Sequence, residues 1–310
     1  MPVNDSPSPS RVELSRIISS IENGALSGEL RARLRAPPAS RVIGITGPPG
    51  AGKSTLVDAL IGLYRQTVSR LAVIAVDPSS PVTGGAVLGD RVRMNRHAAD
   101  EGVFIRSMGS RGRTDGLSPS VRDATRLLAC SGYDPVFVET VGVGQIELGV
   151  VECCDIRVLV LAPQWGDYVQ AVKAGLIEVV DLIVVNKADM PGARALLHEL
   201  EHAVHAKAGG HVKVVAATAG QAETGATEVP PAIDAVWQAL LANGLYERRV
   251  AAARAELSSR AQAAFAEGPL QAATADGTLR RLAEALTRGE VSAWQASEEL
   301  LARAIDYTRR

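Results

Sequence analysis

One stretch of the chain has the residue types and spacing of a phosphate-binding loop: Gly47-Pro48-Pro49-Gly50-Ala51-Gly52-Lys53-Ser54. Glycines in this pattern let the backbone wrap closely enough for successive N–H groups to point at phosphate oxygens. Lys53 would reach the β- and γ-phosphates, and the Ser54 hydroxyl would ligate magnesium. We therefore predict a nucleoside triphosphate site, with phosphate contacts from Gly50, Ala51, Gly52, Lys53, Ser54 and Thr55.

A second motif indicates which base the nucleotide carries. The sequence Asn186-Lys187-Ala188-Asp189 directly follows an apolar, strand-like run. The Asp189 carboxylate can accept hydrogen bonds from guanine N1–H and N2–H, which adenine cannot supply. Asn186 would contact the purine edge and its own loop, and the Lys187 stem would lie over the base. A second base loop is predicted at Thr218-Ala219, with the Ala219 N–H towards guanine O6. The expected ligands are GTP and GDP.

Magnesium needs hard oxygen ligands besides Ser54 and phosphate. Three acids, Asp77, Asp90 and Glu139, lie in or near loops that follow strand-like runs. The segment from Glu139 to Gly142 has the acid-x-x-Gly form of a nucleotide switch, where the acid senses magnesium and the Gly142 N–H senses the γ-phosphate. We predict Lys53, Asp77, Glu139 and Gly142 as catalytic residues and Ser54, Asp77, Asp90 and Glu139 as metal ligands.

Four polar residues near this switch are left without an assigned role. Gln145 follows Glu139 at a spacing two residues longer than the water-positioning glutamine of small GTPases would have. Arg106, Arg111 and Arg113 flank a loop rich in glycine and serine. All three could reach phosphate, and for Arg111 and Arg113 a solvated side chain is the favoured interpretation.

Apolar runs that alternate with helical segments would position these residues. Runs of Val, Ile and Leu without polar alternation are typical of strands covered on both faces. Alternating strands and helices predict an α/β fold with a mostly parallel, doubly wound sheet and a ligand at the carboxyl ends of the strands. The predicted strands are Arg41–Thr46, Leu71–Val76, Val103–Arg106, Pro135–Val138, Ile156–Ala162, Leu182–Val185 and Val212–Ala216.

Helical segments are predicted on both sides of this region. Residues 1–39 combine a polar, disordered tail with a short helical arm, and residues 40–244 hold the nucleotide-binding domain. Residues 245–310 are predicted to be helical, with breaks at Gly268-Pro269 and Gly289. The apolar stripes of this last region must pack on the sheet domain or on a second copy of the chain.

The composition is that of a globular protein, with 46% hydrophobic and 22% charged residues among 310. A net charge of −1 offers no bulk attraction to nucleic acid or to an acidic membrane, so we predict neither as a partner. Residues 1–10 have neither the apolar core of a signal peptide nor an Arg-rich transit helix. We therefore expect a cytoplasmic protein.

The cysteines and histidines allow two interpretations each. Cys130, Cys153 and Cys154 are either small buried hydrophobic residues or, for the adjacent pair, a redox or metal site. The histidines at 198, 202 and 205 share helical spacing and form either an exposed helix face or part of a metal site. Of the two, we favour the exposed face.

Together the motifs resemble those of the G-protein chaperones of adenosylcobalamin-dependent acyl-CoA mutases, the MeaB/ArgK-type family of methylmalonyl-CoA mutase-associated GTPases. The resemblance covers residues 12–245 and includes Gly47–Thr55, Val76–Ser80, Thr83–Asp90, Val138–Gln145 and Asn186–Asp189. It implies a P-loop domain of the signal-recognition-particle type, an N-terminal helical extension and a C-terminal arm that makes a homodimer. It also implies that GTP binding and hydrolysis gate adenosylcobalamin delivery to, and protection of, a mutase. Some relatives were labelled arginine/ornithine transport kinases, whereas the motifs imply GTP hydrolysis.

The resemblance also implies a partner-contacting loop after the strand at residues 156–162. Here it is Pro163–Lys173, in which Gln170 and Lys173 match positions that couple nucleotide state to the mutase. Residues 163–168 depart from the family's usual Pro-Gly-Ala-Gly-Asp-Glu, and the loop Gly109–Leu117 lacks its usual Leu-Gly-Gly. Both departures indicate a partner other than methylmalonyl-CoA mutase, such as a sister enzyme acting on another branched acyl-CoA.

Three other P-loop functions are weighed against this one. A metallochaperone GTPase for nickel, zinc or cobalt usually carries a His-rich tract or a Cys-x-Cys-Cys loop, and the sequence has neither. A small-molecule or protein kinase would use ATP, which the motif Asn186–Asp189 does not favour. A membrane-targeting ATPase would carry a second lysine early in the phosphate loop, where Pro48 and Pro49 stand.

Overall fold

The computed structural model describes residues 9–24, 27–28, 30, 34, 40–77, 94–109, 118–140, 153–163, 175–207, 212–288, 290–291, 295–296, 298–300 and 302. The chain divides into two compact units, Met1–Arg249 and Val250–Arg310. The first unit contains the sheet and all of the predicted nucleotide motifs. No helix among the described residues combines the length and the apolar character needed to cross a bilayer.

The first unit is built on a parallel sheet, as the sequence predicts. The described strands are β1 Val42–Thr46, β2 Leu71–Asp77, β3 Val103–Gly109, β4 Val136–Thr140, β5 Ile156–Leu161, β6 Leu182–Val185 and β7 Lys213–Ala216. Their order across the sheet is β3-β2-β4-β1-β5-β6-β7, and each paired neighbour runs parallel. All seven predicted strands are confirmed, with ends shifted by at most three residues.

Helices connect and cover the strands. They are α1 Arg11–Glu22, α2 Lys53–Tyr64, α3 Pro119–Cys130, α4 Leu176–Val179, α5 Ala193–Lys207, α6 Val229–Ala242, α7 Leu245–Ala275 and α8 Thr278–Thr287. Two 3-10 turns lie at Asn95–His97 and Ala219–Gly225. The predicted N-terminal helix begins with a capping box, in which Ser10 Oγ accepts from the Glu13 N–H and Glu13 Oε2 accepts from the Ser10 N–H.

The sheet is covered on both faces, which explains why its strands are apolar throughout. Successive residues such as Val73 and Ile74, or Phe137 and Val138, enter opposite clusters because side chains alternate along a strand. One face packs against α2 and α6. The other face packs against α1 and α3 at one end and against α4 and α5 at the other. This is the predicted doubly wound arrangement.

The sheet order fixes which loops meet. β1 lies between β4 and β5, with Ile45 beside Glu139 and Thr46 beside Leu159. The phosphate loop, which follows Thr46, therefore starts next to the carboxyl end of β4. β6, which precedes the base motif, lies one strand further away, beyond β5.

The start of α7 is anchored at the amino end of the sheet. Arg248 makes a bidentate ion pair with Asp181, with N–O distances of 2.7 and 2.8 Å. Arg249 makes a second one with Asp155, at 2.8 and 2.9 Å. The Asp155 carboxylate also accepts from the Val42 N–H at the start of β1, at 3.0 Å. The hydrogen bond with Asp155 raises the pKa of Arg249.

The predicted helix break at Gly268-Pro269 is wrong. α7 continues through both residues and ends at Ala275, before Gly277 with a φ of 76°. A proline removes one helical hydrogen bond and bends a helix without having to end it, whereas a left-handed glycine cannot continue the helix. Gly289, the other predicted break, lies outside the described residues.

Candidate nucleotide site

The phosphate loop requires glycine at two points where the backbone has little room. A Cβ at Gly47, whose φ is 142°, would lie 2.0 Å from Val160 O of β5. A Cβ at Gly52, whose φ is 89°, would lie 2.3 Å from Asn186 Nδ2. The loop is therefore held against β5 and against the base motif by close approaches that any side chain would prevent.

The loop leads into the amino end of α2, which suits an anion. The N-cap residue is Gly52, which has no side chain with which to cap the helix. The first turn of this helix contains no acidic residue. The N–H groups and the helix dipole at this end favour phosphate.

Lys53 points back over the loop. Its Nζ donates to Gly47 O at 2.6 Å and to Pro48 O at 2.9 Å, and the residue is 6% exposed. The side chain is thus held on the same loop whose N–H groups are predicted to hold phosphate. This position agrees with the predicted role of Lys53 as the phosphate-binding cation of the loop.

Ser54 and Glu139 form the central polar pair. Ser54 Oγ donates to Glu139 Oε1 at 2.6 Å, and the two residues are 6% and 1% exposed. A hydroxyl and a carboxylate are the hard oxygen ligands that Mg²⁺ prefers, so this pair fits the predicted metal. Asp77 ends β2, the strand next to β4, and its side chain is outside the description.

Asn186 ties the base motif to the phosphate loop. Its Nδ2 donates to Ala51 O at 2.9 Å and to Gly52 O at 3.3 Å, and its Oδ1 accepts from the Ala219 N–H at 3.0 Å. The residue is 2% exposed. The tie to Ala51 was not predicted, because sequence spacing does not show which loops touch. The sequence feature that agrees with this contact is the glycine at position 52, because a Cβ there would collide with the Asn186 amide.

The rest of the base motif forms a turn beside this tie. Lys187 has a φ of 57°, and its carbonyl accepts from the Met190 N–H at 2.9 Å. Asp189 is exposed, as a residue that reads a base must be. The predicted contact between the Ala219 N–H and guanine O6 stays a prediction, and that N–H would have to be shared with Asn186.

Comparison with known proteins identifies the family to which this chain belongs. A family model described as "Methylmalonyl Co-A mutase-associated GTPase MeaB" matches residues 14–268. The chain belongs to the MeaB family of GTPases. A relative from Caulobacter vibrioides is 35% identical over 94% of this chain and 93% of that protein. A relative from Pyrococcus horikoshii is 50% identical over 61% of either chain.

The fold is also found in a solved structure. The crystal structure of an LAO/AO transport system kinase matches with a TM-score of 0.69 and 28% identity, over 94% of this chain and 92% of that one. The matches to three of the curated relatives span 61%, 50% and 44% of those proteins' lengths. The expected resemblance to the MeaB family and the expected P-loop α/β fold are confirmed.

Several predicted site residues of this MeaB-family chain lie outside the described ranges. They are Asp90, Gly142, Gln145, Gln170 and Lys173, together with Arg111 and Arg113. Thr55, by contrast, is described and exposed in the first turn of α2. Thr218 donates its N–H to Gly225 O at 2.7 Å, which closes the turn Ala219–Gly225.

Arg106 has a structural role in place of the phosphate contact that was considered for it. Its Nη2 donates to Ser19 Oγ at 3.0 Å and pairs with Glu22 Oε2 at 2.5 Å. Both partners belong to α1, so this arginine joins the N-terminal helix to β3. The sequence alone does not predict which way the Arg106 side chain points. Its partners lie on α1, and sequence spacing does not show that α1 packs beside β3.

The cysteine pair and the histidine helix have clear positions in the fold. Cys153 Sγ and Cys154 Sγ are 3.5 Å apart, and burial raises the pKa of the Cys154 thiol.

The ring nitrogens of His198 and His202 are 3.3 Å apart on an exposed face of α5. Among the described residues, no three His, Cys, Asp or Glu side chains are arranged to hold a metal ion.

Proposed function

We propose that the protein binds and hydrolyses GTP, and that this cycle gates adenosylcobalamin delivery to, and protection of, a cobalamin-dependent acyl-CoA mutase. The observation that carries the nucleotide part is the Asn186 side chain, which joins a guanine-type motif to a phosphate loop. The description of the MeaB family supports the mutase part.

Each group at the site has a separate task in this proposal. The loop N–H groups, the amino end of α2 and Lys53 bind the phosphates, and Asp189 selects guanine. Ser54 and Glu139 hold Mg²⁺, with Asp77 and Asp90 as the further acids. The bound ion supplies positive charge that offsets the charge on the phosphates. Gly142 would sense the γ-phosphate.

The nucleotide part is tested by titration with GDP, GTP, ADP and ATP at fixed magnesium. GDP and GTP should bind far more tightly, because adenine leaves the Asp189 carboxylate without its two donors. Asp189→Asn should shift the preference towards xanthine nucleotides, whose O2 accepts from the new amide. Equal affinity of the wild type for ATP and GTP would end the GTPase proposal.

The mutase part is tested with purified methylmalonyl-CoA mutase and with a sister branched acyl-CoA mutase. We expect GTP hydrolysis to rise with one of them, and Lys173→Ala to keep intrinsic hydrolysis within a few-fold while losing that rise. The separation follows because Lys173 is not among the groups assigned to phosphate, metal or base. Guanine specificity without stimulation by either mutase would leave a GTPase and reject these two partners.

A further inference from the structure

Arg96 joins two elements that flank the nucleotide site. It lies in the 3-10 turn Asn95–His97. Its Nε is 3.0 Å from Asp58 Oδ1 and 2.8 Å from Asp58 Oδ2, and its Nη2 donates to Asp58 O at 3.0 Å. Its Nη1 is 2.9 Å from Glu223 Oε1. One planar guanidinium thus holds two carboxylates, which fixes their relative position more strictly than a single contact would.

The two carboxylates belong to two elements that flank the predicted nucleotide site. Asp58 is in α2, the helix that begins directly after the phosphate loop. Glu223 is in the turn Ala219–Gly225, whose first N–H donates to Asn186 Oδ1. A shift of this turn relative to α2 would therefore move the groups predicted to surround the base.

The turn is compact and strained, so its position depends on what holds it. Ala222 has a φ of 55° and a ψ of −138°, a conformation that residues other than glycine rarely adopt. A Cβ at Gly225 would lie 2.0 Å from Thr218 O. Such a conformation persists only when surrounding contacts impose it.

Glu223 provides one of those contacts, because its side chain packs against α2 at Gly62. A Cβ at Gly62 would lie 2.0 Å from Glu223 Oε1 and 2.8 Å from its Cγ. A backbone hydrogen bond and the Arg96 charge lower the pKa of Glu223. The carboxylate is therefore charged at neutral pH, and Gly62 gives it the space to reach Arg96.

We propose that Arg96 and Glu223 are positioning residues for guanine recognition. The ion pair fixes the turn Ala219–Gly225 against α2, and Gly62 provides the space that this contact needs. The turn in turn holds the Ala219 N–H on Asn186. Neither Arg96 nor Glu223 touches the nucleotide in this scheme. The inference rests on the proposed binding of guanine nucleotides.

The test compares Glu223→Ala with Asp100→Ala. Asp100 makes an ion pair with Arg65 at 2.7 Å, and its side chain is 33% exposed against 31% for Glu223. The Arg65–Asp100 pair lies at the carboxyl end of α2, and its described hydrogen bonds do not involve the turn Ala219–Gly225, so it controls for the loss of a similar pair. The measurements are Kd for GDP and ADP, kcat at saturating GTP, and the thermal unfolding midpoint.

Glu223→Ala should weaken GDP binding about three- to fivefold, the effect of losing one partly exposed ion pair. Binding of ADP and kcat at saturation should not change, because the phosphate groups are untouched. Asp100→Ala should lower the unfolding midpoint at least as much as Glu223→Ala does, and should leave the ratio of the ADP and GDP Kd values at the wild-type value.

Gly62→Ala gives a second variant that removes no charge. Alanine favours helix, so this change should not reduce helix content, but its Cβ displaces the Glu223 carboxylate. We expect the same loss of GDP affinity as in Glu223→Ala and no further loss when both are combined. If both single variants keep the wild-type Kd ratio, this inference is overturned. If the wild type itself does not prefer GDP, the proposed function fails instead.

Discussion

Replacing Asn186 with alanine should destabilise the sheet unit, whereas replacing Asp189, three residues later, should not. The Asn186 side chain is 2% exposed and hydrogen-bonds three backbone groups. Gly52 O would keep its bond from the Leu56 N–H at 2.9 Å. Ala51 O and the Ala219 N–H would lose their bonds to the amide.

The magnitude follows from these two backbone groups. A buried polar group that loses its partner costs about 1–3 kcal/mol, so losing two should lower the free energy of unfolding by about 2–6 kcal/mol. A folded domain usually has a total stability of about 5–15 kcal/mol, so the loss is a large part of it. Asp189→Ala changes an exposed side chain and should cost less than about 0.5 kcal/mol.

The assay is urea unfolding followed by far-UV circular dichroism, with GDP affinity measured on the same samples. Asn186→Asp is the matched control: its carboxylate still accepts from the Ala219 N–H but places a second oxygen against Ala51 O. It should be no more stable than Asn186→Ala, because a buried charge faces a carbonyl. Asp189→Ala should lose GDP affinity at unchanged stability.

Two results would refute this reasoning. A loss below about 1 kcal/mol in Asn186→Ala would mean that water replaces the tie between the loops at little cost. Equal destabilisation by Asp189→Ala would mean that the whole motif is structural. In the second case the exposure of Asp189 would no longer support its assignment to the base.

The remaining predictions concern hydrolysis and assembly. Glu139→Ala and Asp77→Ala should each lower GTP hydrolysis by about 10² or more while circular dichroism stays unchanged, and unaltered turnover in either would remove that residue from the site. Residues 245–310 should form a homodimer, since Leu257 and Leu286 are 67% and 43% exposed in the second unit. Truncation after Asn243 should then give a monomer in sedimentation, and a full-length monomer at micromolar concentration would contradict the dimer.

The strands and the residue types of the site could be predicted from local sequence. Runs such as Leu182–Val185 are apolar because both faces of the sheet are covered, so the pattern itself carries the information. The phosphate loop and the base motif follow strands directly, and their spacing is fixed by the chemistry of phosphate and guanine. The end of α7 at Ala275 was missed because one proline does not decide where a helix stops.

The contacts between distant parts of the chain could not be predicted. Asn186 meets Ala51, and Arg96 meets Glu223, across more than a hundred residues in each case. Arg106 faces α1, a helix more than eighty residues earlier. Each contact depends on the sheet order and on which helix covers which strand. Composition and periodicity indicate which residues are buried, but they do not indicate which distant residues lie next to each other.

The sheet order also ranks two of the three acids predicted to hold the metal. β4 pairs directly with β1, so Glu139 reaches Ser54 Oγ at 2.6 Å, whereas Asp77 ends β2 on the far side of β4. Neighbouring strands are about 4.8 Å apart, which puts the backbone at Asp77 about 10 Å from β1. We therefore expect Glu139→Gln to raise the magnesium concentration needed for half-maximal fluorescent-GDP binding more than Asp77→Asn does. If Asp77→Asn raised the required magnesium concentration more than Glu139→Gln, the Glu139 carboxylate would only accept the Ser54 hydrogen bond, and the metal would lie towards β2.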